Sequence, residues 1–284
     1  MFKILSVILS AIIIIYTNFI QDRTSQEARI KMLNVGQGDS FLITTNDGKL
    51  ILIDGGPDDR VLEELASGLP YWKRKIDLMI SSHGDSDHIA GLVEVLGHYD
   101  VESFAYNGLS KDSNTFEKLM DKVENEQINT ILLKKGDRVK IGCCLSLDVL
   151  WPRENNFKEA VNANDFSVAF ILTYGSFDMY FAGDLPANIE QEMIGKGILD
   201  VEVMKVSHHG SINSTSEKVL DALTPEVALI SAGLDNPYRH PHPSVINKMQ
   251  QRGLEIFRSD IEGAVEIKVF KDSYRIKREM FNNK

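Results

Sequence analysis

Four side chains able to bind a metal crowd into the run His83-Gly84-Asp85-Ser86-Asp87-His88, where an apolar stretch, Ile76–Ser82, gives way to a helical pattern. Charges at the end of a buried strand are costly unless something pairs with them, and a divalent cation is a partner that imidazole and carboxylate donors suit. In an extended loop His83, Asp85 and Asp87 project to one side and His88 to the other, so one loop can serve two neighbouring ions. The alternative, a solvated polar turn, has no use for two imidazoles. Three more segments carry similar side chains after apolar runs or prolines. Tyr180-Phe181-Ala182-Gly183-Asp184 ends in a carboxylate, for which helix N-cap is the ordinary role and Pro186 fits it. Ser207-His208-His209-Gly210 follows the apolar run Val201–Val206. Arg239-His240-Pro241-His242-Pro243 cannot be helical internally, because each proline turns the residue before it away from the α region. Imidazoles on such a stiff stretch suit gripping a phosphate or protonating a leaving oxygen; the plainer role is a rigid turn into the final helix.

These groups need a frame. From residue 29 the pattern predicts strands at Arg29–Val35, Ser40–Thr45 and Lys49–Asp54, with Asn46-Asp47-Gly48 as a hairpin turn. A helix at Asp59–Ser67, the strand Ile76–Ser82, a helix at Ile89–His98, a strand at Val101–Tyr106 and a helix at Thr115–Glu126 follow. Strands at Val139–Leu150, Ser167–Tyr174, Phe177–Ala182, Val201–Ser207 and Val227–Ala232 come next, with a helix at Ser214–Leu223. The end is a helix at Pro243–Arg252 and strands at Glu255–Arg258, Ala264–Phe270 and Tyr274–Lys277. Hairpins, then alternating strands and helices, then the same order again suit two sheets packed face to face with helices outside. Residues 29–284 read as one domain.

The first 28 residues read differently. Lys3 precedes Ile4–Ile20, which holds no charge, and at about 1.5 Å per helical residue this stretch nearly spans a ~30 Å hydrocarbon core. It reads as an export signal or signal anchor followed by a polar linker, without a small-x-small cleavage pattern; a buried N-terminal helix is the alternative. The few flanking charges favour a short N-terminus inside and the body outside the membrane. The formal charge of −10 falls on the body, since residues 1–28 hold Lys3 and Arg23 against Asp22 and Glu27. Such a body argues against clamping nucleic acid on a broad basic surface, but not against a metal-centred nuclease, where bound ions are the largest local charges. Cys143 and Cys144 are adjacent, a spacing that strains a disulfide, and are expected to be small core residues on a strand.

The run 83–88 resembles the metallo-β-lactamase superfamily motif His-x-His-x-Asp-His, with Asp85 where the second His usually falls. That departure, together with Asn34-Val35-Gly36-Gln37-Gly38-Asp39-Ser40, Ser207-His208-His209-Gly210-Ser211 and Arg239-His240-Pro241-His242-Pro243, is similar to the extracellular nuclease-like domain at the C-terminus of the ComEC family of competence channel proteins. The likeness covers roughly residues 29–270 and lacks the family's multi-span channel portion, so the sequence reads as a stand-alone relative. It implies an α/β fold, an αββα sandwich of two mixed sheets with outer helices, preceded here by the N-terminal hydrophobic helix. It implies two divalent ions, Mn²⁺ or Zn²⁺ with Mg²⁺ also accommodated, held by His83, Asp85, Asp87, His88, Asp184 and one of the paired histidines. His208 is the first choice there and His209 then touches substrate; the reverse order satisfies the same pattern. Asp54 in Leu52-Ile53-Asp54-Gly55-Gly56 would orient the metal loop, or cap the next helix. Asp39, behind Gly36-Gln37-Gly38, either lines the site or shapes a tight turn, the turn being the plainer role.

The histidine that the superfamily supplies before the strand at Ser167 is missing, leaving Asn162, Asn164, Asp165 and Ser167 as local polar groups. Oxygen donors in place of imidazoles shift preference from zinc toward Mn²⁺ or Mg²⁺. The activity implied is phosphodiester hydrolysis, foremost of DNA, with Asp87, His209, His240 and His242 as catalytic residues. The partners implied are nucleic acid, the DNA-uptake machinery and, through the N-terminal segment, the membrane, with the body extracytoplasmic. The rival readings are an exported phosphodiesterase on a cell-wall or lipid-linked substrate, a β-lactamase or lactonase, and a non-catalytic metal-binding module.

Overall fold

Short β-rich runs broken by turn residues fold into two mixed sheets whose apolar faces meet. The computed structural model describes residues 27–153, 162–195 and 199–279; the apolar stretch 4–20 and its expected helix lie outside the described residues. The first sheet runs, edge to edge, through β17 (Ser273–Glu279), β16 (Ala264–Phe270), β1 (Ala28–Met32), β2 (Phe41–Thr44), β3 (Leu50–Ile53), β5 (Leu78–Ile80), β7 (Ser103–Tyr106) and β8 (Asn129–Leu132). The second runs through β15 (Glu255–Arg258), β14 (Val227–Ile230), β13 (Val203–Lys205), β12 (Phe177–Phe181), β11 (Ala169–Tyr174), β10 (Leu145–Trp151) and β9 (Arg138–Ile141). A two-stranded ribbon pairs β4 (Lys75–Ile76) with β6 (Asp100–Val101). Each large sheet begins with antiparallel hairpins and continues in parallel strands.

Alternation of side chains along the strands sorts them into three apolar layers. Ile51 and Ile53 of β3 face the second sheet, with Phe41, Phe170 and Phe181 in the same layer. Leu50 and Leu52 face outward instead, where α1 (Arg60–Gly68), α2 (Ser86–Leu96) and α3 (Asn114–Asn125) cover them through Val61, Leu65, Leu92 and Leu119. On the far side α4 (Ala187–Ile194), α5 (Glu217–Leu223) and α6 (Pro243–Gln251) cover Tyr180, Met204 and Ile230 through Met193, Leu220 and Val245. A short helix, α7 (Ser259–Glu262), precedes β16. Burial on both faces explains why Leu50–Ile53 is a continuous apolar run with no polar alternate. Phe41 and Phe181 meet edge to face across the two sheets, centroids 5.2 Å apart.

Three expectations change. Val139–Leu150 is not one strand but the hairpin of β9 and β10, because Gly142 takes a left-handed turn at φ 59. Cys143 and Cys144 therefore sit exposed in that turn, bonded to one another, and not in the core. β8 is a strand that sequence reading passed over; it is an edge strand with exposed residues, so it lacks a buried pattern. No helix among the described residues is long and apolar enough to cross a membrane.

Candidate metal centre

The site forms where the carboxyl ends of parallel strands from both sheets converge, the usual ligand position of α/β sheets. From the first sheet, β3 delivers Asp54 and β5 the run His83–His88. From the second, β12 delivers Asp184 and β13 the paired histidines. Asp54 locks the first of these loops. Its carboxylate accepts the Ser82 N–H at 2.7 Å and the Ser82 hydroxyl at 2.7 Å, and takes the His88 Nδ1 at 2.8 Å. Asp54 thus holds the His88 ring through Nδ1 rather than capping a helix, and leaves His88 Nε2 to point into the site. His88 itself lies in the first turn of α2, fully buried. The β13 loop is set by backbone strain. His208 and His209 both adopt left-handed conformations, with φ 50 and 52, a cost that clusters at functional sites. The twist turns His209 inward, where its Nδ1 meets the Ser231 carbonyl at 2.9 Å, while the His208 side chain keeps 31% of its exposure at the rim.

Four of these side chains converge: Asp87, His88, Asp184 and His209. His88 Nε2 and His209 Nε2 each lie 3.4 Å from Asp184 Oδ2, and His209 Nε2 lies 3.5 Å from Asp87 Oδ2. Four ligands at about 2.1 Å from one ion stand about 3.4 Å apart in a tetrahedron. His88 Nε2 and His209 Nε2 are buried without any hydrogen-bond partner, a state that buried polar atoms seldom tolerate. The donor set therefore fits a divalent cation. A second, poorer set adjoins it. His83 Nε2 is also buried and unpartnered, 3.9 Å from Asp85 Oδ2, and the His83 and His88 rings lie 4.2 Å apart. Lys111 ties up the other Asp85 oxygen. Where the third imidazole is missing, Ser167 accepts the Asp184 N–H at 3.1 Å and is fully buried. Asn162 is spent on its own turn, accepting the Asn164 N–H, while Asn164 Oδ1 is buried and unpartnered.

The electrostatics favour a cation. Burial would raise Asp184, but His209, His88 and Lys205 hold it well below the usual carboxylate range. Despite burial, Asp184 draws both His88 and His209 well above an ordinary imidazole, helped by Asp54 and Asp87 at His88 and by Asp39 at His209, so each holds a proton that a bound cation would displace. His83 differs: burial, with His88 alongside, lowers it to about 4, so it is neutral near pH 7 as a ligand must be.

The remaining predicted residues are placed unevenly. His208 Nε2 is 3.7 Å from Asp184 Oδ2, and its ring stands 5.7 Å from that of His240. Tyr238 stacks on His240 in turn, 5.8 Å away. His242 is not among the clustered groups; its ring accepts the Ser244 N–H and caps α6. Two further buried groups join the site: Lys205, which sequence reading passed over, and Asp39, which it weighted toward a turn. Asp39 is no mere turn residue: its carboxylate pairs with Lys205 and lies 3.4 Å from His209 Nδ1. Lys205 also donates to the Gly183 carbonyl at 2.7 Å and lies 3.5 Å from Asp184. Burial opposes its charge, but Asp39 and Asp184 outweigh burial and raise its pKa. The signal was present, since a lysine inside an otherwise apolar buried strand demands a partner. Gly38 brings the Asp39 loop against the site; a Cβ there would stand 2.1 Å from the Asp87 carbonyl oxygen.

The sequence profile of the Metallo-beta-lactamase superfamily matches residues 33–233, which takes in every residue of both ligand sets. The chain belongs to the metallo-beta-lactamase superfamily. Within that superfamily it is similar to ComE operon protein 3 of Bacillus subtilis, at 27% identity over 89% of this chain and 34% of that protein. Recombination protein 2 of Haemophilus influenzae is 30% identical over 88% of this chain and 30% of the relative. Competence protein ComA of Neisseria gonorrhoeae is 27% identical over 84% and 32%. The chain thus spans about a third of the length of these relatives, and the likeness to the competence family extends well beyond the motifs. Among solved superfamily-like folds, Igni18, a metallo hydrolase from Ignicoccus hospitalis, superposes with a TM-score of 0.54 at 18% identity, over 88% of this chain and 98% of that one. A diphosphatase from the PhnP family gives 0.52 at 16%, over 86% and 98%. The protein is a metal-dependent hydrolase of this superfamily, with its candidate ligands gathered at one end of the sandwich.

Proposed function

We propose that the protein cleaves phosphodiester bonds in DNA, as a nuclease of the competence-protein type. The observation that carries this is the Asp87–His88–Asp184–His209 cluster, with ligand separations of 3.4–3.5 Å and two unpartnered buried imidazole nitrogens. The competence and recombination relatives point to DNA as its target. One divalent ion is assigned to that cluster and a second, weaker one to His83, Asp85 and Asp184. Mn²⁺ or Zn²⁺ suits the first, and oxygen donors bias the second toward Mn²⁺ or Mg²⁺. Bound there, such ions supply a nucleophile at neutral pH and neutralise charge on the phosphoryl oxygens. The chain's own groups do the rest. Asp54 and the Ser231 carbonyl orient His88 and His209. His209 is a ligand in this reading and His208 a rim group facing substrate. His240 is held neutral near pH 7, since burial and the neighbouring His208 lower it to about 4. It therefore acts as a hydrogen-bond donor to a phosphoryl oxygen and not as the proton source. His242, committed to capping α6, takes no part.

An extracytoplasmic body linked to DNA uptake goes with this reading. The second reading is a phosphodiesterase on a cell-wall or lipid-linked substrate, favoured by the −10 charge. The test is incubation of Mn²⁺-loaded protein and its Asp87→Ala variant with single- and double-stranded DNA and with bis-p-nitrophenyl phosphate. DNA loss that needs both the metal and Asp87 supports the nuclease. Cleavage of the small diester with intact DNA moves the assignment to the second reading. Inertness toward both sinks the phosphodiesterase readings and favours a metal-binding module.

A further inference from the structure

Tyr71 and Trp72, 80% and 70% accessible, are the most exposed aromatic side chains among the described residues, and they precede β4 and β5, at the strand end away from the metal centre. They sit on the turn between α1 and β4, rings 5.0 Å apart and edge to face. The turn is rigid. Lys73 N–H donates to the Pro70 carbonyl, Lys73 Nζ reaches the Gly48 carbonyl at 2.7 Å, and Arg74 bonds the Tyr71 carbonyl and lies over the Tyr99 ring. Among the described residues nothing covers the two rings, although the turn itself is tied down by these bonds. Exposed tryptophan and tyrosine on a fixed turn are the groups that settle at a membrane–water interface.

The topology brings residue 27, where the chain arrives from the apolar run 4–20, to this same end. β1 is antiparallel to β2, β2 to β3, and β3 is parallel to β5. The starts of β1, β3 and β5 therefore share one end, and Asp54 and His83 leave from the other. The chain arriving from residue 27 enters about 14 Å from the start of β5, three strand spacings away, at the end from which the Tyr71–Trp72 turn leads through β4 into β5. Ile20, the last residue of the apolar run 4–20, precedes Ala28 by eight residues, which reach at most about 28 Å when extended. A body on so short a tether is held with this end toward the bilayer. The charges here are mixed, Lys49, Lys73, Arg74 and Lys75 against Asp47, Asp77, Asp100 and Glu102, so the rings and not net charge make the contact.

We propose that the Leu69–Lys75 turn docks on the lipid headgroup region of the bilayer that residues 4–20 enter, with Tyr71 and Trp72 inserted at the interface and the metal centre facing away from the membrane. The test reconstitutes the full chain in phosphatidylcholine vesicles whose acyl chains are brominated near the headgroup. Trp72 is read as the difference between wild type and Trp72→Phe, since the other tryptophan, Trp151, is buried. The expected result is a blue shift of Trp72 and loss of most of its emission to bromine, while Tyr238→Trp in the Trp72→Phe chain, at the metal end, stays unquenched. Unquenched Trp72 on chain that floats with the vesicles overturns the docking. Equal quenching at position 238 overturns the orientation, and chain that does not float overturns the anchor on which both depend. Shielding of Trp72 from acrylamide that rises with protein concentration in the absence of lipid assigns the face to a second copy instead. None of these readings depends on hydrolytic activity, so the nuclease proposal stands or falls separately.

Discussion

Glu190 is a fully buried carboxyl in the first turn of α4, and it offers a clean measurement. Burial pushes it up from an ordinary 4.5 to about 7, against the lowering effect of the Thr215 N–H at 2.8 Å and the Tyr180 hydroxyl at 3.2 Å. An acid raised on folding destabilises the native state once the unfolded chain ionises. Above pH 4.5 the unfolded chain releases this proton while the folded chain keeps it, so stability falls as pH rises to about 7 and levels off beyond. At roughly 1.4 kcal/mol per pH unit the fall is about 3 kcal/mol. Glu190→Gln keeps an oxygen for the Thr215 amide and is neutral at every pH. Urea unfolding of both proteins from pH 4.5 to 8, with a chelator present to remove metal linkage, should show the variant gaining about 3 kcal/mol on wild type across that window. Subtracting the two curves cancels the other titrating groups. Parallel curves would refute the claim that burial holds Glu190 protonated.

Other outcomes follow from the site. Asp54→Asn should weaken metal binding by about 10- to 100-fold with the fold retained, measured by competition with a chromophoric chelator. His209→Ala should lower bound metal per chain in elemental analysis, whereas His208→Ala should leave metal content unchanged and reduce turnover; the opposite pattern would return the ligand role to His208. Lys205→Met leaves Asp39 and Asp184 buried without their cation and should cost about 3–5 kcal/mol in urea unfolding, with Asp39→Asn on that background recovering part of it. Gly38→Ala places a methyl 2.1 Å from the Asp87 carbonyl oxygen and should reduce both activity and melting temperature.

The donor loop was legible in the sequence because four donors stand within one turn of chain, and the two-sheet order was legible because β3 and β12 are short apolar runs bounded by turns. The choice between His208 and His209 was not. Neighbouring histidines look equivalent in sequence, and only two successive left-handed residues decide which one turns inward. The Asp39–Lys205 pair was missed for a different reason. Asp39 sits in the loop between β1 and β2 and Lys205 on β13, far apart in the sequence, so the partner that a buried lysine demands could not be named from the chain alone. The exposed edge strand β8 gave no buried pattern to find. Cys143 and Cys144 went to a turn because a neighbouring glycine reversed the chain, which no property of the cysteines announced.

The cluster draws its members from both sheets, with His88 and Asp184 nearly a hundred positions apart along the chain. Ligands so distant cannot find one ion in the unfolded polymer without closing a long loop, at an entropic cost of several kcal/mol, roughly that of a long-range cross-link. A bound ion therefore works as a removable rivet through the seam of the sandwich. It adds RT ln(1 + [L]/Kd) to stability, about 2.7 kcal/mol at a hundredfold excess over Kd, and slows separation of the halves. Where metal is scarce the sandwich would lose that contribution, and the fraction of time the aromatic layer around Phe41 and Phe181 is open to proteases would rise with it. Metal supply would then set how long each molecule survives as well as how fast it works.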